Sequence, residues 1–380
     1  DLAYLKTLNL LQNYPDDNKE LGSSLKIIYS PLNGTGITTT PQALENWGFS
    51  SISYVEKQKH PDGNFPSVHS PNPEEKATLK LGIKQLKEEK GDLFLATDPD
   101  ADRVGIVAMH ENKEIILNGN QIASICLYYL CKNWMHLEKM PENGACVTTI
   151  VTTPLFKTIA AFFNISCFEV LTGFKYIGEK IYQWEQESPP SYTFIFGAEE
   201  SLGYLYGTHA RDKDATSAAC LIAEIALQQK KIGKTLVDLL HDIYKQFGLF
   251  KEKQLSISFG SSTEASRQMN ALMQALRKNP PKKIFDIEIE TFKDYLSGVE
   301  IQCKTQETKT LFFPRSNVLH FILEDASELI IRPSGTEPKI KIYGMVRESI
   351  FSSVEEGLKA CDQKLGKLLN TMKEHHLSSS

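Results

Sequence analysis

The sequence predicts an α/β protein, with two similar α/β domains of mixed, mainly parallel sheets and then a C-terminal α+β domain. Three observations carry this. Apolar, strand-like runs alternate with helical stretches from the start of the chain. The alternation restarts after the polar segment "MPENGA" at 140–145, and beyond about residue 255 it gives way to strands and helices with little parallel logic. The implied domains are residues 1–138, 139–254 and 255–380, and a length of 380 residues fits such a division better than a single domain.

The chain opens at Asp1 in a helical pattern. "SLKIIYSPLNGTG" reads as a strand from Leu25 to Tyr29 that runs into a Gly-rich turn, Asn33 to Gly36, and "ISYVE" as a second strand. "NPEEKATLKLGIKQLKEEKG" predicts an amphipathic helix with Asn72 as its cap, Pro73 at the first helical position, Glu74 and Glu75 in the first turn and Gly91 past its end. "DLFLAT" is the next buried strand. In the second domain "CVTTIV" and "FEVL" are strands around the helix "PLFKTIAAFF", and a long helix from Ala215 to Lys230 leads into another from Thr235 to Phe247. The third domain contains the helix "STEASRQMNALMQALRKN".

Composition excludes several classes. Hydrophobic residues at 41% and charged residues at 23% belong to an ordered globular chain. A net charge of −5 leaves no basic footprint, so no nucleic-acid partner is expected. No unbroken apolar stretch approaches the roughly 18 residues of a membrane span, so no membrane partner is expected, and no signal peptide is read. Seven cysteines form no CxxC pair and read as small buried hydrophobes, which fits a cytoplasmic location. Acidic character does not exclude a small anionic substrate, because local cationic loops bind phosphate regardless of total charge.

The densest chemistry lies in "DLFLATDPDADRVGIVAM", where Asp98, Asp100 and Asp102 alternate between two apolar runs. Pro99 and Ala101 favour a loop between strands, with the carboxylates converging. Anions this close repel unless a cation neutralises them, and oxygen ligands without His or Cys select a hard ion, Mg²⁺ first. An EF-hand starting at Asp98 fails, since Arg103 stands where its glycine belongs and Met109 where its glutamate belongs. A phosphatase of the haloacid-dehalogenase pattern fails at Asp102, where Thr or Val is required. A solvated acidic turn explains neither the third aspartate nor Arg103.

Three further loops are polar. "ELIIRPSGTEPKIKIYG" sets Arg332, Ser334, Gly335, Thr336, Lys339 and Lys341 between two strands, a composition suited to phosphate and rich for a plain hairpin turn. "TFIFGAEESLGYLYG" ends a strand at Glu199 and Glu200, followed by Ser201; carboxylates there suit sugar hydroxyls, while Glu200 reads equally well as a charge at a helix start. In "ARDKDAT", Lys213 between Asp212 and Asp214 is stabilised as a cation and able to donate a proton, although alone it would read as a surface ion pair. "LTGFKYIGEK" is a backbone-rich loop at a strand end, a weak signal by itself.

Together, "DPDADR", "TGFKYIG", "GAEESLGY" and "RPSGTEPKIKIY", in this order and spacing, resemble the α-D-phosphohexomutase family, above all its bacterial α-phosphoglucomutase branch and their phosphopentomutase-like relatives. The resemblance runs over essentially the whole chain. It implies family domains 2 to 4 of a four-domain enzyme built around a cleft. It further implies that Asp98, Asp100 and Asp102 bind Mg²⁺ beside Arg103, that Thr172, Gly173, Phe174 and Lys175 form the sugar-specificity loop, and that Glu199 and Ser201 grip sugar hydroxyls. Lys213 matches a general acid/base, and Arg332, Ser334, Gly335 and Thr336 match the loop for the non-reacting phosphate. The implied reaction interconverts glucose 1-phosphate and glucose 6-phosphate through a phosphoserine and glucose 1,6-bisphosphate.

The family serine lies in a Thr-Ala-Ser-His-Asn-Pro type loop, and no such loop occurs here. "VHSPNPEE" is superficially similar but fits the second family domain, so Ser70 is not read as the nucleophile. The expectation is that the first domain is missing, that it is the partner this chain needs, and that the chain alone is inactive. Asn33 stands where relatives carry histidine, and Asn118 where threonine is common. Phosphomannomutase, phosphopentomutase and glucose 1,6-bisphosphate synthase remain alternatives, with a hexose or pentose phosphate as substrate. From another class, a non-catalytic phosphosugar-binding protein would share the loops.

Overall fold

The computed structural model describes residues 1–260, 263–334 and 338–377. It divides into two compact units, Asp1–Ile243 and Tyr244–Ser380.

The first unit contains two sheets. In the first sheet, β1 (Ile27–Ser30) is flanked by β2 (Ile52–Tyr54) and β3 (Leu93–Thr97), both parallel to it. β4 (Val104–His110) then adds antiparallel to β3, and β5 (Lys113–Leu117) antiparallel to β4. Every residue of β1 and β3 is buried, as expected for central strands covered on both faces. In the second sheet, β6 (Gly144–Thr149) lies between parallel β7 (Ser166–Val170) and β8 (Thr193–Glu199), and β9 (Gly203–Tyr206) is antiparallel to β8. The orders β2-β1-β3-β4 and β7-β6-β8-β9 are thus one topology used twice. The mixed, mainly parallel sheets read from the sequence are present.

The helix Ala215–Lys231 joins the two layers. It packs on the helix Thr40–Asn46, on β3 and β4, and on β9. All residues from Ala215 to Leu227 are buried, which explains a run of Ala, Ser, Cys, Leu and Ile with no polar face. Glu224, the charge in that run, is fully enclosed and accepts hydrogen bonds from Asn13 N and Nδ2, Tyr14 N, Asn18 Nδ2 and Tyr129 Oη at 2.8–3.2 Å. Those donors bind the first twenty residues to the helix and satisfy a carboxylate that would otherwise be costly to bury.

One predicted element starts later than its pattern indicates. The helix ahead of β3 runs Lys80–Glu88, not from Asn72. Asn72 Oδ1 instead accepts from Glu74 N at 3.0 Å, closing a local turn, and Thr78 Oγ1 donates to Ser70 O at 2.8 Å. The Asn72–Glu74 bond is one an N-cap can make, but the backbone beyond it closes i→i+3 turns, Glu75 N to Asn72 O at 3.0 Å and Thr78 N to Glu75 O at 2.9 Å, and Glu74, Glu75 and Lys76 supply no apolar face to hold a regular helix there. Asn118 and Asn33 gain clear roles. Asn118 forms a reciprocal capping box with Gln121 at the head of the helix Gly119–His136. Asn33 adopts φ 60° and donates from Nδ2 to His60 O at 2.8 Å, a left-handed conformation that asparagine tolerates well.

In the second unit, β10 (Leu249–Ser258), β11 (Lys283–Ile284), β12 (Ile287–Asp294), β13 (Val299–Gln302), β14 (Thr308–Thr310), β15 (Leu319–Leu323), β16 (Glu328–Pro333) and β17 (Lys339–Glu348) follow in chain order. They form an antiparallel sheet in the order β10-β17-β16-β15-β12-β13-β14, with β11 paired to β12. The helix Val354–Thr371 packs on β10 and β17, giving the α+β arrangement read from the sequence.

Candidate functional site

The loop between β3 and β4 is built to converge three carboxylates. Ala101, at φ 57°, turns the chain so that its N–H donates to Asp98 O at 3.1 Å. Asp98 Oδ1 then accepts from the N–H groups of Asp102 and Arg103, each at 3.0 Å. One oxygen from each of Asp98, Asp100 and Asp102 lies within 4.8 Å of the others. Burial, then the charges of Asp102 and Asp100, push the Asp98 carboxyl up to about 7, against the Arg103 N–H that favours its ionised form. Asp102 Oδ1 is buried, and among the described residues no hydrogen-bond donor reaches it. An all-oxygen set with an uncapped buried carboxylate oxygen fits a hard divalent cation.

The Gly-rich turn after β1 buttresses this loop, a role its sequence did not disclose. Thr35 donates to Pro99 O from N at 2.8 Å and from Oγ1 at 2.9 Å. A Cβ on Gly34 would lie 2.3 Å from Pro99 Cα, so a bare backbone is required where the two loops meet.

Lys213 comes to the same place from the segment after β9. Its Nζ lies 2.8 Å from Asp102 Oδ2 and 2.9 Å from Asp212 Oδ1, and its side chain is 12% exposed. Burial opposes the charge, but the hydrogen bonds to Asp102 and Asp212 outweigh it, so the amine is held as ammonium above its ordinary range. The pairing read from the sequence, between Asp212 and Asp214, is half right. Asp214 turns away to cap the helix Ala215–Lys231 through Thr216 N and Ser217 N, and Asp102 takes its place. The lysine stem crosses Gly203, where an added Cβ would sit 2.3 Å from Lys213 Cδ. Arg103 Nε lies 3.7 Å from Asp102 Oδ1 and 3.9 Å from Asp98 Oδ2, and Nη1 lies 3.8 Å from Glu74 Oε1. These are ion pairs at longer range than hydrogen bonds.

The sugar-loop candidates gather beside it. Glu199, buried at the end of β8, accepts from Gly173 N at 2.7 Å through Oε1. Burial raises its carboxyl above the ordinary range, although Gly173 N–H, Lys213 and Arg103 favour the charge. Thr172 Oγ1 is buried without a hydrogen-bond partner among the described residues, and the buried ring of Phe174 lies 5.5 Å from Lys213 Nζ. Lys175 is exposed, with its Nζ 4.9 Å from the Tyr176 ring. Glu200 and Ser201 lie in the turn that enters β9, so no helix starts at Glu200. An isolated bridge pairs Arg103 with Gly203, Val104 N donates to Leu202 O at 3.2 Å and Ala215 N to Ala101 O at 3.2 Å. The β3–β4 loop, the β8–β9 turn and the Lys213 segment are therefore stitched together by backbone.

In the second unit, Arg332 on β16 is in register with Lys341 on β17. Arg332 Nη2 donates to Tyr343 Oη at 3.1 Å and the guanidinium lies 5.7 Å from that ring. Ser334 N donates to Lys339 O at 2.7 Å, closing the hairpin base. Gly335 and Thr336 lie outside the described residues.

Residues 3–111 match the model of phosphoglucomutase/phosphomannomutase alpha/beta/alpha domain II, and residues 118–247 that of domain III. The chain belongs to the phosphoglucomutase/phosphomannomutase family. It is 34% identical to a Staphylococcus aureus phosphoglucomutase over 339 residues, which are 89% of this chain and 60% of the relative. A Staphylococcus haemolyticus phosphoglucomutase is also 34% identical, over 94% of this chain and 63% of the relative. Among solved structures, the Paramecium phosphoglucomutase parafusin matches with a TM-score of 0.66 and 17% identity, over 98% of this chain and 62% of that one. A phosphoglucomutase/phosphomannomutase family protein of Burkholderia thailandensis matches at 0.61 and 14%, over 97% and 66%. The chain thus spans about three fifths of its curated phosphoglucomutase relatives. Family membership rests on the domain II and III matches and on the phosphoglucomutase relatives; Gly34, Gly203 and Asp214, which position the β3–β4 loop and Lys213, showed no local signal beyond a Gly-rich turn and a helix start.

Proposed function

We propose that this chain is the metal-, sugar- and phosphate-binding part of a phosphoglucomutase-type mutase, interconverting glucose 1-phosphate and glucose 6-phosphate through a phosphoserine and glucose 1,6-bisphosphate. The observation that carries it is the convergence, within one unit, of the three aspartates with a lysine held as ammonium and the buried Glu199. Asp98, Asp100 and Asp102 would hold Mg²⁺, which when bound neutralises the charge on the transferring phosphoryl oxygens. Lys213 Nζ, being protonated, serves as the acid that gives its proton to the serine oxygen as the P–O bond breaks. Arg103 adds positive charge beside the carboxylates. Glu199 keeps Oε2 for a sugar hydroxyl while Oε1 fixes Gly173, and with it the loop of Thr172, Phe174 and Lys175; Ser201 adds a hydroxyl from the neighbouring turn. Arg332, Ser334, Lys339 and Lys341, with Gly335 and Thr336, bind the phosphate that does not react.

The phosphoserine is not among these residues, so the 380-residue chain alone is expected to form no glucose 6-phosphate from glucose 1-phosphate. Titration calorimetry with Mg²⁺ tests the site itself. One ion should bind, and Asp100→Ala, at an exposed position, should abolish binding while the circular dichroism spectrum is unchanged. Undiminished affinity in that variant would sink the metal assignment. Turnover of mannose or pentose phosphates in preference to glucose phosphates, by the full-length enzyme, would replace the substrate but keep the site.

A further inference from the structure

We propose that Tyr4 and His209 are positioning residues for the Lys213 ammonium, acting through Asp214. The inference rests on the mutase reading for Lys213's role, but its geometry is independent of that reading.

Lys213 leaves an irregular segment, 207–214, that has neither strand nor helix to hold it. His209 Nε2 and Asp214 Oδ2, 2.6 Å apart, close that segment into a loop, with Lys213 inside the closure and Arg211 and Asp212 exposed at its tip. The carboxylate accepts, so Nε2 carries the proton. Tyr4 Oη, from the helix Leu2–Asn9, donates to both Asp214 oxygens at 2.8 and 2.9 Å, and its ring lies 5.8 Å from that of His209. Thr216 N and Ser217 N complete the set on Oδ1 at 3.0 and 3.1 Å, and Asp214 N donates to Tyr204 O at 2.8 Å on β9. The residue after Lys213 is therefore pinned from four sides: N-terminal helix, loop, β9 and long helix. The capping bonds from Thr216 and Ser217 need only Asp214. The bonds from Tyr4 and His209 do something capping does not require: they fix where the chain stands one residue before the helix, where the Lys213 stem must start to cross Gly203 and reach Asp102.

The test is acylation of Lys213 by an amine-reactive reagent, followed by peptide mass spectrometry on the full chain at one pH, without metal or substrate. In the wild type, Lys213 should react slowly. Tyr4→Phe and His209→Ala should each raise its rate about tenfold, the factor expected from losing one hydrogen bond to a charged group, while Lys230, paired with Asp92 on the same unit, keeps its rate. His209→Gln, whose amide can donate to Asp214, should restore most of the protection. In the full-length enzyme both damaging variants should lower kcat with KM little changed. Unchanged Lys213 labelling in Tyr4→Phe and His209→Ala, whatever happens to their melting temperatures, would overturn the proposal. Since labelling involves no Mg²⁺, that result would leave the mutase reading standing, whereas loss of the reading through the Asp100→Ala titration would not alter the labelling.

Discussion

In the first sheet the turn after the central strand is bare glycine against backbone, and the β3–β4 loop carries three carboxylates. In the second sheet the turn after β6 carries Thr152 and Thr153, and β8 ends, just before its turn into β9, on the buried carboxylate of Glu199. The strand order is the same, so the backbone brings both hairpins to equivalent sheet ends. Their chemistry differs because their neighbours differ. Gly34 lets one loop close on Pro99 and hold the aspartates together; Thr153 Oγ1 accepts from Leu155 N at 3.2 Å and caps a helix. A repeated topology supplies positions, and the side chains packed beneath each position decide whether it gathers three carboxylates or buries one.

Substitutions can break that contrast. Gly34→Val should have the largest effect, because its Cβ meets the Pro99 backbone rather than a flexible side chain. We expect a loss of about 3 kcal/mol or more in unfolding free energy, together with weakened Mg²⁺ binding, measured by urea denaturation and calorimetry. An unaltered Mg²⁺ affinity would mean that the first turn does not support the carboxylate loop.

Asp214→Asn probes the join between the sheets. Burial opposes the charge of Asp214, and the bonds from His209, Ser217 N and Tyr4 outweigh it, leaving the carboxyl below its ordinary value of 3.8. A depressed value in the folded state means that the unfolded chain binds the proton more readily. The stabilisation is therefore present above the ordinary value and lost as pH falls through the folded one. The substitution should cost about 1–3 kcal/mol near neutral pH, and the difference should shrink in urea titrations below pH 3.8. A cost independent of pH would remove the charged state from the account.

The smallest effect belongs to the second sheet's own turn. Thr153→Ala should cost about 1 kcal/mol, the value of an N-cap, and leave Mg²⁺ affinity untouched. A change in affinity there would erase the distinction between the two turns.

Much of this was legible beforehand for a local reason. The Asp98–Asp100–Asp102 cluster is made by residues within one loop, and its neutralising bonds come from Asp102 N and Arg103 N in the same loop. Burial of β1 and β3 followed from unbroken apolar runs, and the helix Ala215–Lys231 from its length and composition. The pattern failed at Asn72, where successive i→i+3 turns, Glu75 N to Asn72 O and Thr78 N to Glu75 O, stand in place of the first helical turns.

By itself, then, the sequence determined the fold class, the four loops and the identity of the charged groups, because periodicity and close spacing act within a few residues. The tertiary structure decided which charges meet. Lys213 chose Asp102 over Asp214, and Tyr4 found Asp214 from the far end of the unit. Each choice depends on where a bare glycine lets a chain pass and on which donors lie nearest once the helix between the sheets is in place, and spacing along the chain encodes neither.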